Sequence, residues 1–237
     1  MNGIIDIGHN FWAGYGEGLK RDPDQHDPLL RSYHRMLWSK PLPCGRVLTL
    51  DKYLHHDSGI GTFSFSSDSF MHTYSLWKRY RHVIDQIPPE DILHFQSIAG
   101  TIGGITIFPS NKVDGKRTIN GEKGCNPRIL DRIDLTMECI RRYYEGEESP
   151  LYETLKRYAS FFDLFGDLKG YAEFFLMQDM VTDAGKVRFL TSFDDFVSSP
   201  LPRDVIGYTE YKKNSILFIN ARNGRIREWA DEKCDIS

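Results

Sequence analysis

Proline limits what this chain can fold into, because it breaks helix interiors and central strands yet is at home in the first turn of a helix. At three places a proline follows a capping residue: Asp27-Pro28, Asn126-Pro127 and Ser149-Pro150. Each pair predicts a helix start. Pro41 with Pro43, and Pro88 with Pro89, predict stops.

The first 26 residues, rich in Gly, Asp and His, predict an irregular arm ahead of a single domain over 27–237. From Asp27, "LLRSYHRMLWSK" reads as an amphipathic helix with Leu29, Tyr33, Met36 and Leu37 on one side. "RVLTLDKYL" and "GTFSFSSD" alternate as strands do, and Gly59 and Gly61 between them predict a hairpin or sheet corner. Ser67 to Ser69 read as the cap of a helix through "FMHTYSLWKRYRHVIDQI". "PEDILHFQSIAG" follows as a short helix, and "TIGGITIFP" as a strand with paired glycines. Asn126-Pro127 opens a helix through "RILDRIDLTMECIRRYYEGE". Ser149-Pro150 opens another, with Leu151, Leu155, Tyr158, Phe162 and Phe165 at helical spacing. "GYAEFFLMQDMV" reads as a helix, "KVRFLTSF" as a strand, and "DVIGYTEYKKNSILFINARNGRIREWA" as a last long helix. The expected fold class is α+β, a helix-rich single domain with a small, mainly antiparallel sheet.

The chain is 13% aromatic, so aromatic clusters should build the core. Its net charge of −3 offers no global attraction for nucleic acid, and a role there requires a local basic patch. Cys44, Cys125, Cys139 and Cys234 form no C-x-x-C pair, which argues against a zinc ribbon or thioredoxin-type site. With no long apolar window and no basic-then-apolar leader, the expectation is a cytoplasmic protein without a membrane partner.

Wheel positions at 100° per residue put one arginine on the apolar face of each of three predicted helices. Arg81 falls between Trp77 and Tyr74, Arg132 between Cys139 and Tyr143, and Arg222 between Trp229 and Tyr208. A buried guanidinium needs an anion or several carbonyls around it. It can pair with a carboxylate such as Asp131, Asp179 or Asp195, snorkel outward, or converge with others on a ligand's phosphate.

The segment 111–132 is locally basic through Lys112, Lys116, Arg117, Lys123, Arg128 and Arg132, against Asp114, Glu122 and Asp131. Its glycines would let a ligand approach the backbone, and the predicted helix start at Pro127 would favour an anion. Neither a Walker A loop nor a Rossmann fingerprint is present. A solvated turn built on "VDGK" is the competing reading.

None of the catalytic patterns in the chain names a reaction. Glu210 and Lys212, with Asp194, Asp195 or Asp204 upstream, match a short nuclease pattern that requires a strand where the spacing reads as helix. Asp179 and Asp183 could share a metal but lack a histidine partner. "FSFSSDS" with Arg46 upstream is similar to elements of ADP-ribosyltransferases, without an identifiable later glutamate. His55, His56, His72, His82 and His94 are available bases with no readable partner set.

Taken together, "TIGGITIFPSNKVDGKRTING", "DRIDLTMECIRRYY", "SPLYETLKRYASFFDLFGDLKGY" and "FDDF…PLP" resemble a family of small prokaryotic proteins, a domain of unknown function. The resemblance runs from about Ser39 onward and implies a single-domain bacterial or bacteriophage-type protein; it brings no activity, cofactor or site residue.

The expected function is binding of a nucleotide or nucleic-acid phosphate in a basic pocket. Lys116, Arg117, Thr118 and Asn120 would build it, Arg132 would add a bidentate contact, and Arg81 and Arg222 would reach in from neighbouring helices. If chemistry occurs there, hydrolysis or transfer at phosphorus or a ribosyl carbon is the natural class, with the base and any cofactor unassigned. The alternative is a non-catalytic protein-interaction module whose arginines pair internally.

Overall fold

The computed structural model describes residues 5–13, 22–50 and 52–235. In chain order it runs through α1 (Pro23–His26), α2 (Pro28–Trp38), β1 (His55–Ser58) and β2 (Gly61–Ser69). Next come α3 (Arg81–Ile84), α4 (Pro89–Ala99), β3 (Ile105–Pro109), α5 (Ile119–Cys125) and α6 (Ile133–Glu145). The chain continues as α7 (Tyr152–Lys156), α8 (Ala159–Phe162), α9 (Leu168–Phe174) and α10 (Val205–Asp235). This is a helix-rich α+β fold whose sheet is antiparallel in the order β1-β2-β3.

α2 starts as its sequence dictates. The Asp27 carboxylate accepts from the Leu29 and Leu30 amides, with Pro28 in the first turn. The hairpin forms around Gly59 and Gly61, but its first strand is His55–Ser58, paired through His55↔Ser64 and Ser58↔Gly61. "RVLTLDKYL" contributes only isolated bridges, Pro41↔Val47 and Lys52↔His55. "KVRFLTSF" is likewise reduced to a bridge, Val181↔Val187.

The long helix expected from Phe70 does not form. β2 runs on to Ser69 because it pairs with β3 from Phe65↔Pro109 to Ser69↔Ile105. Tyr74 then takes φ 56°, and the His72 Nδ1 accepts its amide at 3.0 Å. A left-handed residue ends any helical run, so only the short α3 survives.

The helix expected from Pro127 begins six residues later. Asn126 Oδ1 accepts the Arg128 amide, and Leu130 and Asp131 take φ 47° and 64°. That left-handed pair closes a turn and delays α6 to Ile133. The helix from Ser149-Pro150 breaks near Tyr158 into α7 and α8, although Leu151, Leu155, Tyr158, Phe162 and Phe165 are all buried as the spacing predicts.

The core is aromatic. Phe161, Phe162, Phe165, Tyr171, Phe174 and Phe175 form one continuous ring cluster with centroids 4.8 to 6.4 Å apart. α10 packs on α4 and on the 3-10 turn Ile102–Gly104. The paired glycines permit this approach: a Cβ on Gly103 would lie 2.5 Å from Asn223 Oδ1, and one on Gly104 2.2 Å from the Ala99 carbonyl. Residues 5–13 carry neither helix nor strand; Ile5 and Phe11 are buried and the Phe11 amide donates to the Gly100 carbonyl. The rest of the expected arm lies partly outside the described residues.

Candidate functional site

β3 leaves the sheet at Pro109, and the chain turns at Asp114 and Gly115, both left-handed, with the Lys116 amide bonded to the Val113 carbonyl. Two residues at the α7–α8 junction tie this loop down. Tyr158 Oη donates to the Asn111 carbonyl at 2.9 Å, and Arg157 Nη2 donates to the Arg117 carbonyl at 2.9 Å. A second donation from Arg157, to the Glu153 carbonyl at 3.1 Å, fixes its guanidinium on α7.

Lys112, Lys116, Arg117 and Lys156 are exposed and Arg157 half-buried along these two segments, against Asp114 and Glu153. The result is a basic rim on a chain of net charge −3. Two buried polar atoms at its base, Arg157 Nε and Asn120 Oδ1, have no protein partner. Thr118 is spent on structure: its hydroxyl caps α5 by accepting the Gly121 amide at 3.3 Å. Asn120 turns inward and donates from Nδ2 to Ser66 Oγ at 3.2 Å.

Beneath the rim, α5 is anchored by Lys123, which has no exposed surface. Its ammonium lies 2.9 Å from Asp68 on β2 and also pairs with Asp131. Burial alone would depress the ammonium, but the two carboxylates outweigh it and hold Lys123 above the usual lysine range. Burial in turn raises Asp68. The left-handed turn at Leu130 and Asp131 brings the second carboxylate within reach.

The three arginines singled out by the wheel go to three places. Arg132 precedes α6 and is buried, as expected; its fork meets Asp134, Nε to Oδ1 at 3.0 Å and Nη2 to Oδ2, while Nη1 donates to the Pro200 carbonyl. Arg222 is fully buried in α10 and donates to the carbonyls of Phe175, Ile102, Gly103 and Ile105. Arg81 is exposed and pairs with Asp85 at 3.2 Å, because the helix that would have turned it inward is broken at Tyr74. Lys116, Arg117, Thr118 and Asn120 therefore stay together, while Arg132 and Arg222 are engaged by protein groups and Arg81 lies on α3.

Two cavities lie elsewhere. One of about 410 Å³ sits between Asn10, Thr101, Asn223 and Arg227. Another of about 310 Å³ is lined by Arg128, Arg132, Asp194, Asp195, Asp204 and Glu210. In the second, those four carboxylates outnumber the three arginines Arg128, Arg132 and Arg203, so it is no anion trap.

A serine–histidine contact that the sequence spacing did not reveal joins α2 to β2. His34 Nε2 lies 2.5 Å from Ser67 Oγ, and Trp38 Nε1 donates to His34 Nδ1 at 2.9 Å. The Trp38 donation occupies the Nδ1 lone pair, so the neutral ring carries its proton on Nε2 and donates to Ser67. A histidine in that tautomer cannot take the serine proton. Burial also pulls His34 down to about 4, which makes this a structural bond rather than a nucleophile–base pair.

Glu210 and Lys212 lie on α10, not a strand, and Lys212 pairs with Asp91. Asp179 is clamped by Arg225 through Nε–Oδ2 at 2.6 Å and Nη2–Oδ1 at 2.8 Å, and Asp183 is exposed. Among the described residues, no group of three or more His, Cys, Asp or Glu side chains could hold a metal ion, and no helix is long and apolar enough to cross a membrane.

The model of a family described as "Family of unknown function (DUF6994)" matches residues 5–226, which takes in the described arm as well as the domain. No curated protein and no solved structure matches the chain.

Proposed function

The chain belongs to that family of unknown function, and from its geometry we propose that it binds the phosphates of a nucleic acid along the rim of Lys112, Lys116, Arg117, Lys156 and Arg157. The observation that carries this reading is the bond from Arg157 Nη2 to the Arg117 carbonyl. It holds the backbone of the loop against α7, so cations distant in sequence line one edge before any ligand arrives. An open edge of exposed Lys and Arg suits a polymer backbone better than a mononucleotide, which needs walls. Phosphate contacts of this kind position a strand without reading its sequence.

In this reading the protein works in the reducing cytoplasm of a prokaryote, which the free thiols Cys44 and Cys125 would suit. The testing experiment is fluorescence anisotropy with a labelled single-stranded oligonucleotide. Lys116→Ala combined with Arg117→Ala should keep the native melting temperature, since both side chains are exposed, and weaken binding at least tenfold. Equal binding by the native protein and the double variant would falsify the assignment of the rim.

A further inference from the structure

The cavity of about 410 Å³ shares no residue with the basic rim. Three segments wall it: Ile7 and Asn10 from the N-terminal arm, Ile98 from the end of α4, and Asn220, Asn223, Gly224 and Arg227 from α10. The arm is held closely there. The Phe11 amide donates to the Gly100 carbonyl at 2.9 Å, and a Cβ on Gly100 would lie 1.9 Å from Asn10 Oδ1. Gly224, by contrast, faces open space, with nothing within 4 Å of a built Cβ.

The polar groups on these walls are anchored, and what they leave over is donor-rich. Buried Asn223 accepts the Gly103 amide through Oδ1 at 2.7 Å and donates one Nδ2 hydrogen to Thr101 Oγ1 at 2.9 Å, which leaves it one hydrogen. Asn10 accepts the Trp12 amide through Oδ1 at 2.9 Å and keeps both Nδ2 hydrogens. The side chains of Asn220 and Arg227 have no hydrogen bond or ion pair among the described residues. No Asp or Glu lines the cavity, so the Arg227 guanidinium is its single charge. Such a set accepts an anion of one charge with further acceptor atoms.

We propose that this cavity binds a small carboxylate that carries an amide, of the N-acyl amino acid class. The carboxylate matches the planar fork of Arg227, which can hold both oxygens. The amide carbonyl takes the Nδ2 hydrogens of Asn10 and Asn223, and the amide N–H finds an acceptor in the Asn220 carboxamide. A short aliphatic side chain lies against Ile7 and Ile98. The volume falls within the range of small-molecule sites. A nucleotide suits it less, because one guanidinium would face several phosphate charges. A ligand held by both Asn10 and Arg227 would also tie the arm to α10.

The test is a titration of the whole native protein with N-acetyl-L-leucine, followed by saturation-transfer NMR, with N-acetyl-L-leucinamide as the uncharged control. The native protein should bind the acid with a Kd of about 1 mM or tighter, and the amide at least tenfold more weakly. Arg227→Gln, a change at an exposed side chain, should bring the acid down to the level of the amide. Gly224→Leu should fold, since leucine is the better helix former and its Cβ meets nothing, and by filling the cavity it should abolish binding of both compounds. No transfer to the native protein, or equal binding of acid and amide, would overturn the proposal. Binding of the acid that Arg227→Gln leaves unchanged would overturn it too, whether or not the Gly224 variant folds.

Discussion

Arg132 and Asp134 form a bidentate pair at the start of α6, with Arg132 3% exposed and Asp134 fully buried. Asp134 also accepts the Leu190 amide at 2.9 Å, and Arg132 reaches the Pro200 carbonyl at 2.8 Å. Two adjacent side chains thereby fasten the irregular segment between α9 and α10 onto α6. The fork that the sequence pointed toward a core is satisfied by a carboxylate two residues along.

Removing one partner should leave a charge stranded in protein. Asp134→Asn is expected to cost about 3–5 kcal/mol, measured by urea denaturation. The double change Arg132→Met with Asp134→Leu should cost less than either single change. Strictly additive losses would contradict the pairing.

Glycines on the face of α10 and at its contact should behave oppositely. An alanine at Gly103 would meet Asn223 Oδ1 at 2.5 Å and the Ile219 carbonyl at 2.6 Å, so Gly103→Ala should destabilise by about 1–3 kcal/mol. Gly224 lies inside α10 with nothing within 4 Å of a built Cβ. Gly224→Ala should therefore stabilise by about 0.5–1 kcal/mol. Thermal denaturation of the two variants compares them directly.

Buried His34 predicts an acid limb to stability. Its pKa falls from 6.5 to about 4 on folding because burial disfavours the charged ring. Between those values the unfolded chain binds more protons, so the stability present above pH 6.5 is lost as pH falls toward 4. His34→Gln should be less stable at pH 7 but show a shallower decline across that window in pH-dependent urea melts. Parallel declines would assign the acid limb to other groups.

The thiols should separate sharply. The Arg46 amide and guanidinium beside exposed Cys44 lower its pKa, while burial pushes Cys139 up to about 12. Since the thiolate is the reactive form, iodoacetamide at pH 7.5 should alkylate Cys44 at least tenfold faster than Cys139 in the native state. Comparable rates would mean that Cys139 is reached by local opening.

Much of this fold was legible where local chemistry and tertiary demand agree. The helix capped by Asp27-Pro28, the short helix from Pro89 and the long α10 form where the sequence pattern predicts them. The misreadings lie where a distant partner wins. Ser67 to Ser69 look like a cap, but β3 recruits them into the sheet. Asn126-Pro127 look like a helix start, but the turn through Leu130 and Asp131 serves the buried Lys123. Arg81 leaves the apolar face because the Phe70 segment is broken, Arg132 is buried although it precedes its helix, and Arg222 is buried within α10 as its helical position predicts. The place of Lys156 and Arg157 on the rim is not legible in the sequence, because the link from Arg157 to Arg117 crosses 40 positions.

The salt dependence of oligonucleotide binding tests the central claim most directly. Each phosphate contact with a single strand contributes a slope of about −0.7 to a plot of log K against log salt. A rim of five cations predicts a slope approaching about −3.5, and Lys116→Ala with Arg117→Ala should make it shallower by about 1.4. Binding that is absent at low salt, or a slope that the double variant leaves unchanged, would contradict the account.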